Sequence, residues 1–262
     1  MTGPVSRPRH DAKYSAEVLE ILKALAADAA GPIVDPFAGI GLIDQIGRAD
    51  VIGIELEPEW AVASPVVRQG DALDPGSYPD EVGSIFTSPT YGNRMADSYL
   101  GPRCRICDGF GRLTLGVADG TWTLTEREQG WRTCTRCEGL GRIRRGRYGY
   151  GISLGRLASE GSSCHLQWGD GYREFHRRWL IVASTVLAPG PRRLVLNMSD
   201  HYRGGALQYV CHWWIEEAGR QGFRLADTFR ADTSRQGHGQ NGEKRAAAEM
   251  VFVFDLIGRR WE

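Results

Sequence analysis

Four short apolar runs in the first 90 residues constrain this chain more than any other feature. They are Ile33-Val34-Asp35-Pro36, Val51-Ile52-Gly53-Ile54-Glu55, Val66-Val67 leading to Gly70-Asp71, and Val82-Gly83-Ser84-Ile85-Phe86. Runs of this length, bounded by acids, glycines and prolines, read as short buried strands. Helical spacing separates them. Val18, Ile21, Leu22 and Leu25 mark one face of a helix over 12–29, which Gly31-Pro32 stops. A second helix is expected over 42–47, and a turn or two over 57–64. Strands alternating with helices predict an α/β domain: a doubly wound, mainly parallel sheet covered on both faces.

The pattern stops at residue 100, where glycines, arginines and cysteines replace periodic apolar residues. It resumes over 171–187, where Tyr172, Phe175, Trp179, Val182 and Val186 share a helical face. A strand over 193–197, a helix over 206–220 and strands over 223–228 and 249–256 complete the reading. The organisation expected is therefore a core in two halves, 1–99 and 148–262, interrupted by an insertion over 100–147.

At 262 residues, 42% apolar and 24% charged, the chain is long enough for one large domain carrying an insertion. That usage excludes disordered, collagen-like and coiled-coil classes. The longest apolar stretch, 179–188, is about half a membrane span. The opening MTGPVSRPRHD has no apolar core behind its arginines. No membrane association and a cytoplasmic location are expected, in the host cytoplasm if the chain is phage-encoded. The formal charge of zero hides a dipole. Residues 1–100 hold 7 basic and 15 acidic side chains, residues 101–150 hold 10 and 5, and residues 151–262 hold 15 and 12. Every basic side chain of the middle block is an arginine.

Asp35-Pro36-Phe37-Ala38-Gly39-Ile40-Gly41 puts glycines where the first strand gives way to a helix. Such a turn is either a tight connection or a place where backbone approaches a ligand. Glu55 ends the second strand, where an acid accepts hydrogen bonds from ribose hydroxyls, and Asp71 follows the third. Acids at consecutive carboxyl ends favour a ligand. The GxGxxG pattern of a pyrophosphate site is absent.

These residues resemble the class I S-adenosylmethionine-dependent methyltransferases, whose fold is a seven-stranded Rossmann-like sheet. The resemblance implies that Asp35, Pro36, Phe37, Gly39 and Gly41 form the turn that cradles the methionine part of S-adenosyl-L-methionine. Glu55 matches the ribose-binding acid and Asp71 the acid beside the adenine. His10-Asp11-Ala12-Lys13-Tyr14-Ser15 is similar to the N-terminal motif of amino-methyltransferases, so Lys13, Tyr14 and Ser15 are also cofactor-binding candidates.

Thr87-Ser88-Pro89-Thr90-Tyr91-Gly92 follows the fourth strand. A Ser-Pro there is ordinarily a turn. It resembles the (Asn/Asp/Ser)-Pro-Pro-(Tyr/Phe/Trp) motif of exocyclic-amine methyltransferases, with Thr90 in place of the second proline. An aromatic amine is a poor nucleophile because its lone pair is delocalised. Two acceptors aimed at its N–H groups favour a pyramidal nitrogen that attacks a methyl group. The resemblance gives Ser88 and Pro89 that role, and has Tyr91 stack on a base swung out of the duplex. Serine leans toward cytosine N4 over adenine N6. Cytosine C5 chemistry is disfavoured, because it needs a cysteine after proline and no Pro-Cys pair exists.

Within the insertion, Cys104-Arg105-Ile106-Cys107-Asp108-Gly109-Phe110-Gly111 recurs as Cys134-Thr135-Arg136-Cys137-Glu138-Gly139-Leu140-Gly141. Two CxxC knuckles fit one closed, structural Zn(Cys)4 site made of Cys104, Cys107, Cys134 and Cys137, the alternative being a redox pair. Each repeat resembles the CxxCxGxG unit of the DnaJ-type zinc domain, a zinc-ribbon-like module. Cys164 and Cys211 are expected as core thiols. Arg142, Arg144, Arg145 and Arg147 lead out of the insertion beside Tyr148 and Tyr150. They are either a solvated strip or a nucleic-acid-binding rim, and their place beside aromatics favours phosphate.

Segments including Leu154-Gly155-Arg156, Gln167-Trp168-Gly169-Asp170, 196–201, Arg235-Gln236-Gly237 and 249–254 resemble a group of actinobacterial and phage DNA methyltransferase-like proteins. Asn197 and Asp200 end a strand on the ligand side, as cleft-lining or capping residues. His176 and His201 are expected on the surface. The implied function is methyl transfer from S-adenosyl-L-methionine to an exocyclic amine of a DNA base, with DNA as partner. RNA methylation, or a zinc-stabilised binding module with a defunct core, are the alternatives.

Overall fold

The computed structural model describes residues 14–90, 100–103, 105–108, 112–114, 131–136, 142–144, 163, 166, 168–187, 192–203, 206–232 and 248–258. The chain divides into two units, Met1–Ala96 with Leu154–Glu262, and Asp97–Ser153. In chain order the strands are β1 (Ile33–Asp35), β2 (Val51–Glu55), β3 (Val67–Gln69), β4 (Ser84–Thr87), β5 (Leu100–Arg103), β6 (Arg112–Thr114), β7 (Trp131–Thr133), β8 (Arg142–Arg144), β9 (Arg193–Met198), β10 (His201–Arg203), β11 (Ala206–Gln208), β12 (Phe223–Asp232) and β13 (Ala248–Leu256). The helices are α1 (Ala16–Ala27), α2 (Pro58–Ala61), α3 (Asp170–Val186) and α4 (Val210–Arg220).

Unit one is built on a seven-stranded sheet in the order β12-β13-β9-β4-β1-β2-β3. Pairings from β3 through β9 are parallel, and β13 runs antiparallel to both β9 and β12. The mainly parallel sheet is what the alternation of strands and helices predicts, and its seven-stranded Rossmann-like form is what the resemblance implies. The chain builds outward through β1, β2 and β3, then returns to place β4 on the other side of β1. That reversal creates a switch point, where open α/β sheets hold ligands beyond their carboxyl ends.

Both faces are covered, which is why β1 and β4 are buried along their whole length, with Ile33, Val34, Ile85 and Phe86 in the core and only Asp35, Ser84 and Thr87 polar. One face packs Val18, Leu22 and Ala26 of α1 against Ile33, Phe86, Val195, Val251 and Val253. The other packs Trp179, Leu180 and Ala183 of α3, with Trp214 and Ala218 of α4, against Val34, Ile85, Leu194, Leu196 and Phe254. Ser15 caps α1 by accepting from the Val18 N–H at 3.1 Å. At the other end the Arg48 guanidinium donates to the carbonyls of Ala26, Ala29 and Gly31 and pairs with Asp50.

Several expectations change. The 42–47 helix is a 3-10 turn, Leu42–Ile46, held between Gly41 and Gly47, both in the left-handed region. The helix expected from residue 206 starts at Val210, after a β10–β11 hairpin. The Asp200 carboxylate accepts from the Cys211 N–H at 2.8 Å and so satisfies a first-turn donor there. This is the capping role open to Asp200. β12 continues to Asp232, four residues beyond its expected end. It is an edge strand with most side chains in solvent, so no apolar alternation marks its second half. His176 and His201 are both buried, not on the surface. His176 lies within an aromatic cluster beneath the switch point, its ring centroid 4.1 Å from that of Tyr172 and 5.0 Å from that of Trp214. Burial holds His176 down at about 3, so it is neutral. Cys211 is a buried core residue, as expected, while Cys164 lies outside the described residues. Among the described residues no helix is long and apolar enough to cross a membrane.

Unit two contains two antiparallel pairs, β5 with β8 and β6 with β7. Strands of three or four residues carry no readable period, so the sequence did not predict them. The first cysteine knuckle connects β5 to β6 and the second connects β7 to β8. Arg103 pairs with Arg142 and Arg112 with Thr133, so the two knuckles occupy equivalent positions between the same two pairings. Cys107, Leu113 and Cys134 are buried.

Candidate active site at the switch point of the sheet

β1 and β2 end together, with Asp35 opposite Gly53, and Glu55 two residues further along β2. Asp35 is a buried acceptor for three donors. The Thr87 hydroxyl donates to it at 2.6 Å, the Phe37 N–H at 3.1 Å and the Tyr14 hydroxyl at 3.3 Å. Burial pushes its carboxyl up to about 6 against the pull of those three donors. Glu55, also buried, accepts from the Gly39 N–H at 2.8 Å and the Glu57 N–H at 3.0 Å. Burial raises it to about 7, offset by the same two backbone donors.

The glycine turn is thus strapped onto β2 by its own acid. Gly39 and Gly41 have φ of 54° and 78°, conformations costly for other residues. A Cβ on Gly41 would also lie 2.6 Å from that of Ser64. Asp71, at the carboxyl end of β3, is exposed, and its carboxylate accepts from the Leu73 N–H at 2.8 Å. Behind it, Trp179 donates to the Tyr78 hydroxyl at 3.2 Å, which donates to the Ala72 carbonyl at 2.8 Å. The structure therefore brings Tyr14, Asp35, Gly39, Gly41, Glu55 and Asp71 to one end of the sheet. Ser15 belongs to the helix cap, and Pro36 continues the turn. Phe37 turns toward α3, its ring 5.2 Å from that of Trp179 and 6.2 Å from that of Phe175. Lys13 lies outside the described residues.

Ser88, Pro89 and Thr90 begin one residue after the Thr87 that bonds Asp35, so the two motifs meet at neighbouring strand ends. Pro89 is buried and Ser88 half-buried, while Tyr91 lies outside the described residues. Thr90 is held from α3: the Tyr172 hydroxyl donates to its carbonyl at 2.7 Å. Asn197, at the end of β9, is buried and donates to Glu249 at 3.1 Å.

Three residues of this site escaped the sequence reading. Thr87 had a signal, because it is the last residue of a strand that points into the site. Tyr172 and Trp214 had none beyond the apolar face of a helix.

In unit two, Cys107 and Cys134 are buried, while Cys104 and Cys137 lie outside the described residues. Among the described residues no cluster of three or more metal-ligating side chains occurs. Asp108, directly after Cys107, has φ of 46°, the left-handed turn that follows a knuckle. Arg142 and Arg144 lie on β8, and Arg145 and Arg147 lie outside the described residues.

No protein-family model and no curated protein matches the chain. Several solved structures share its layout. A proposed RNA methyltransferase from Pyrococcus horikoshii is 11% identical with a TM-score of 0.45, over 97% of this chain and 91% of that one. Magnesium protoporphyrin IX methyltransferase from Synechocystis, bound to S-adenosylmethionine, is 10% identical with a TM-score of 0.43, over 95% and 86%. A glycopeptide N-methyltransferase complexed with sinefungin is 12% identical with a TM-score of 0.44, over 98% and 100%.

Proposed function

We propose that this chain is an S-adenosyl-L-methionine-dependent methyltransferase acting on an exocyclic amino group of a DNA base, cytosine N4 or adenine N6. The observation that carries the reading is the 2.6 Å bond from Thr87 to Asp35. It joins the glycine turn to the Ser-Pro-Thr segment at the switch point, where a donor and an acceptor would meet.

The residues present fit the cofactor. The Glu55 oxygens each accept one backbone N–H and keep a second lone pair for ribose hydroxyls. The exposed Asp71 carboxylate, at the carboxyl end of β3, is the acceptor this reading assigns to the adenine. The cofactor supplies a methyl group on a positively charged sulfur, which suits a pocket built of acids. Ser88 Oγ and the Pro89 carbonyl accept from the target amine and localise its lone pair. When bound, the cofactor would supply the methyl group and take back the S–C electron pair, and the amine held by Ser88 and Pro89 would gain the N–C bond and release its surplus proton to solvent. In-line displacement needs positioning rather than a covalent enzyme intermediate.

The same reading gives unit two one structural zinc ion on Cys104, Cys107, Cys134 and Cys137, and gives Arg142, Arg144, Arg145 and Arg147 the DNA phosphates. Buried cysteines in two knuckles set between the same strand pairs support the zinc site. The test is transfer of labelled methyl to duplex DNA, followed by digestion to nucleosides and mass analysis. N4-methylcytosine or N6-methyladenine is expected, and is lost in Ser88→Ala. Transfer to tRNA alone supports RNA as substrate, and transfer to neither polymer overturns the reading.

A further inference from the structure

We infer that Tyr172, backed by Trp214, is a positioning residue that holds the acceptor loop rigid where its motif lacks a second proline. The inference rests on the methyl-transfer reading of Ser88 and Pro89. A proline at position 90 would fix the backbone through its ring. Thr90 has no such ring, and the structure anchors it from outside instead. The Tyr172 hydroxyl donates to the Thr90 carbonyl at 2.7 Å, and the Thr90 hydroxyl donates to the Ser163 carbonyl at 3.3 Å. The two anchors grip both the side chain and the carbonyl of the residue that follows the Pro89 carbonyl. They hold Thr90 through its side chain and its carbonyl, and the Thr90 nitrogen shares a peptide plane with the Pro89 carbonyl.

The direction of the Tyr172 bond is set by chemistry. Trp214 Nε1 lies 3.2 Å from the Tyr172 oxygen, and an indole nitrogen only donates. The tyrosine oxygen therefore accepts from Trp214, and its single proton is aimed at the Thr90 carbonyl, which only accepts. Tyr172 has no freedom to swing away. It is 1% exposed and wedged between Trp168, at 5.4 Å, and His176, at 4.1 Å between ring centroids. Trp214 is wholly buried. The loop is thus locked by α3 and α4, at sequence separations of 82 for Tyr172 to Thr90 and 42 for Trp214 to Tyr172.

Tyr172→Phe removes one hydroxyl and keeps the ring. The expected result is a fall in kcat of about ten- to a hundredfold, with cofactor affinity within about twofold of wild type. Thr90→Pro supplies the missing ring, so in that background Tyr172→Phe should cost less than about threefold. Equal losses in both backgrounds, unchanged kcat, or a loss carried by cofactor affinity would overturn the inference. Hydrogen exchange separates this failure from failure of the methyl-transfer reading. Even if wild type transfers to no polynucleotide, the amides of residues 87, 88 and 90 should exchange about tenfold faster in Tyr172→Phe, with α3 unchanged. Equal exchange at those amides would sink the clamp. If Tyr172→Phe does not fold, Thr90→Val removes only the Ser163 anchor. It should raise the same exchange rates by about threefold, and no change there would sink it equally.

Discussion

The two loops that meet at the switch point are held in opposite ways. The glycine turn, 37–41, is fixed by neighbours: Asp35 accepts from Phe37 two residues away, and Glu55 accepts from Gly39 sixteen residues away on the adjacent strand. The acceptor loop, 88–90, is fixed by groups from α3 and the segment before it, 73 and 82 residues distant. A loop held by adjacent strand ends can be recognised from a short motif. A loop held by remote helices depends on the core being assembled first.

The contrast can be broken from either side. Glu55→Ala removes the strap on the glycine turn and the proposed ribose acceptor together. Cofactor affinity, titrated by calorimetry, should fall by about a hundredfold or more, since each bond to a charged acceptor is worth about 1.5–3 kcal/mol. Wild-type affinity in this variant would remove Glu55 from the cofactor site. Ser88→Ala should leave cofactor binding intact and lower kcat by about a hundredfold, the scale of losing one pre-positioned hydrogen-bonding partner at a reacting centre. Equal loss of both would show that the two loops are not separable.

Thr87→Val cuts the link between the loops. It should lower stability by about 1–2 kcal/mol in denaturant titration, because a buried carboxylate loses a donor.

The smallest effect is the response to pH. Burial raises Asp35 to about 6 and Glu55 to about 7, above ordinary carboxyl values of 3.8 and 4.5. The folded state thus holds these protons more tightly than the unfolded chain does. That contribution is fully present below about pH 4 and is lost as pH rises through 6 to 7. The ligand-free melting temperature should drift down by a few degrees across that window, with Glu55→Gln flattening its upper part. Cofactor affinity should move the other way, because ionised carboxylates favour a positively charged ligand. Parallel drifts would show that the acids do not face the cofactor.

Unit two differs from unit one in what holds its residues. Its strands are three or four residues long, and among its described residues Leu113 is one of few buried apolar side chains. For a unit built on strands this short, a metal is a common source of stability. Metal analysis should find about one zinc per chain, lost on Cys107→Ser, while the melting of the seven-stranded unit stays unchanged. Well under one zinc in wild type would sink the assignment.

Much of the first site is legible in the sequence, because it depends on local facts. Apolar runs that end in Asp35, Glu55 and Asp71 dictate parallel strands, and parallel strands bring their carboxyl ends to one edge. Glycine at 39 and 41 follows from positive φ, and at 41 also from the close approach of Ser64. The burial of His176 and His201 was not legible, since a lone histidine on a helix or hairpin gives no sign of what packs over it. The start of α4 at Val210 was missed for a related reason, because the carboxylate that serves its first turn, Asp200, lies 11 residues before Cys211, between β9 and β10.

By itself, then, the sequence determined the α/β class, the interruption by an arginine- and cysteine-rich insertion, and the cluster of acids at the strand ends. These follow from period and composition, which act over a few residues at a time. Only the tertiary structure decided that Thr87 ties Asp35 to the acceptor loop, and that Tyr172, itself accepting from Trp214, donates to the Thr90 carbonyl. Hydrogen bonds between residues dozens of positions apart have no period to read. They exist only once apolar burial has packed α3 and α4 against the sheet.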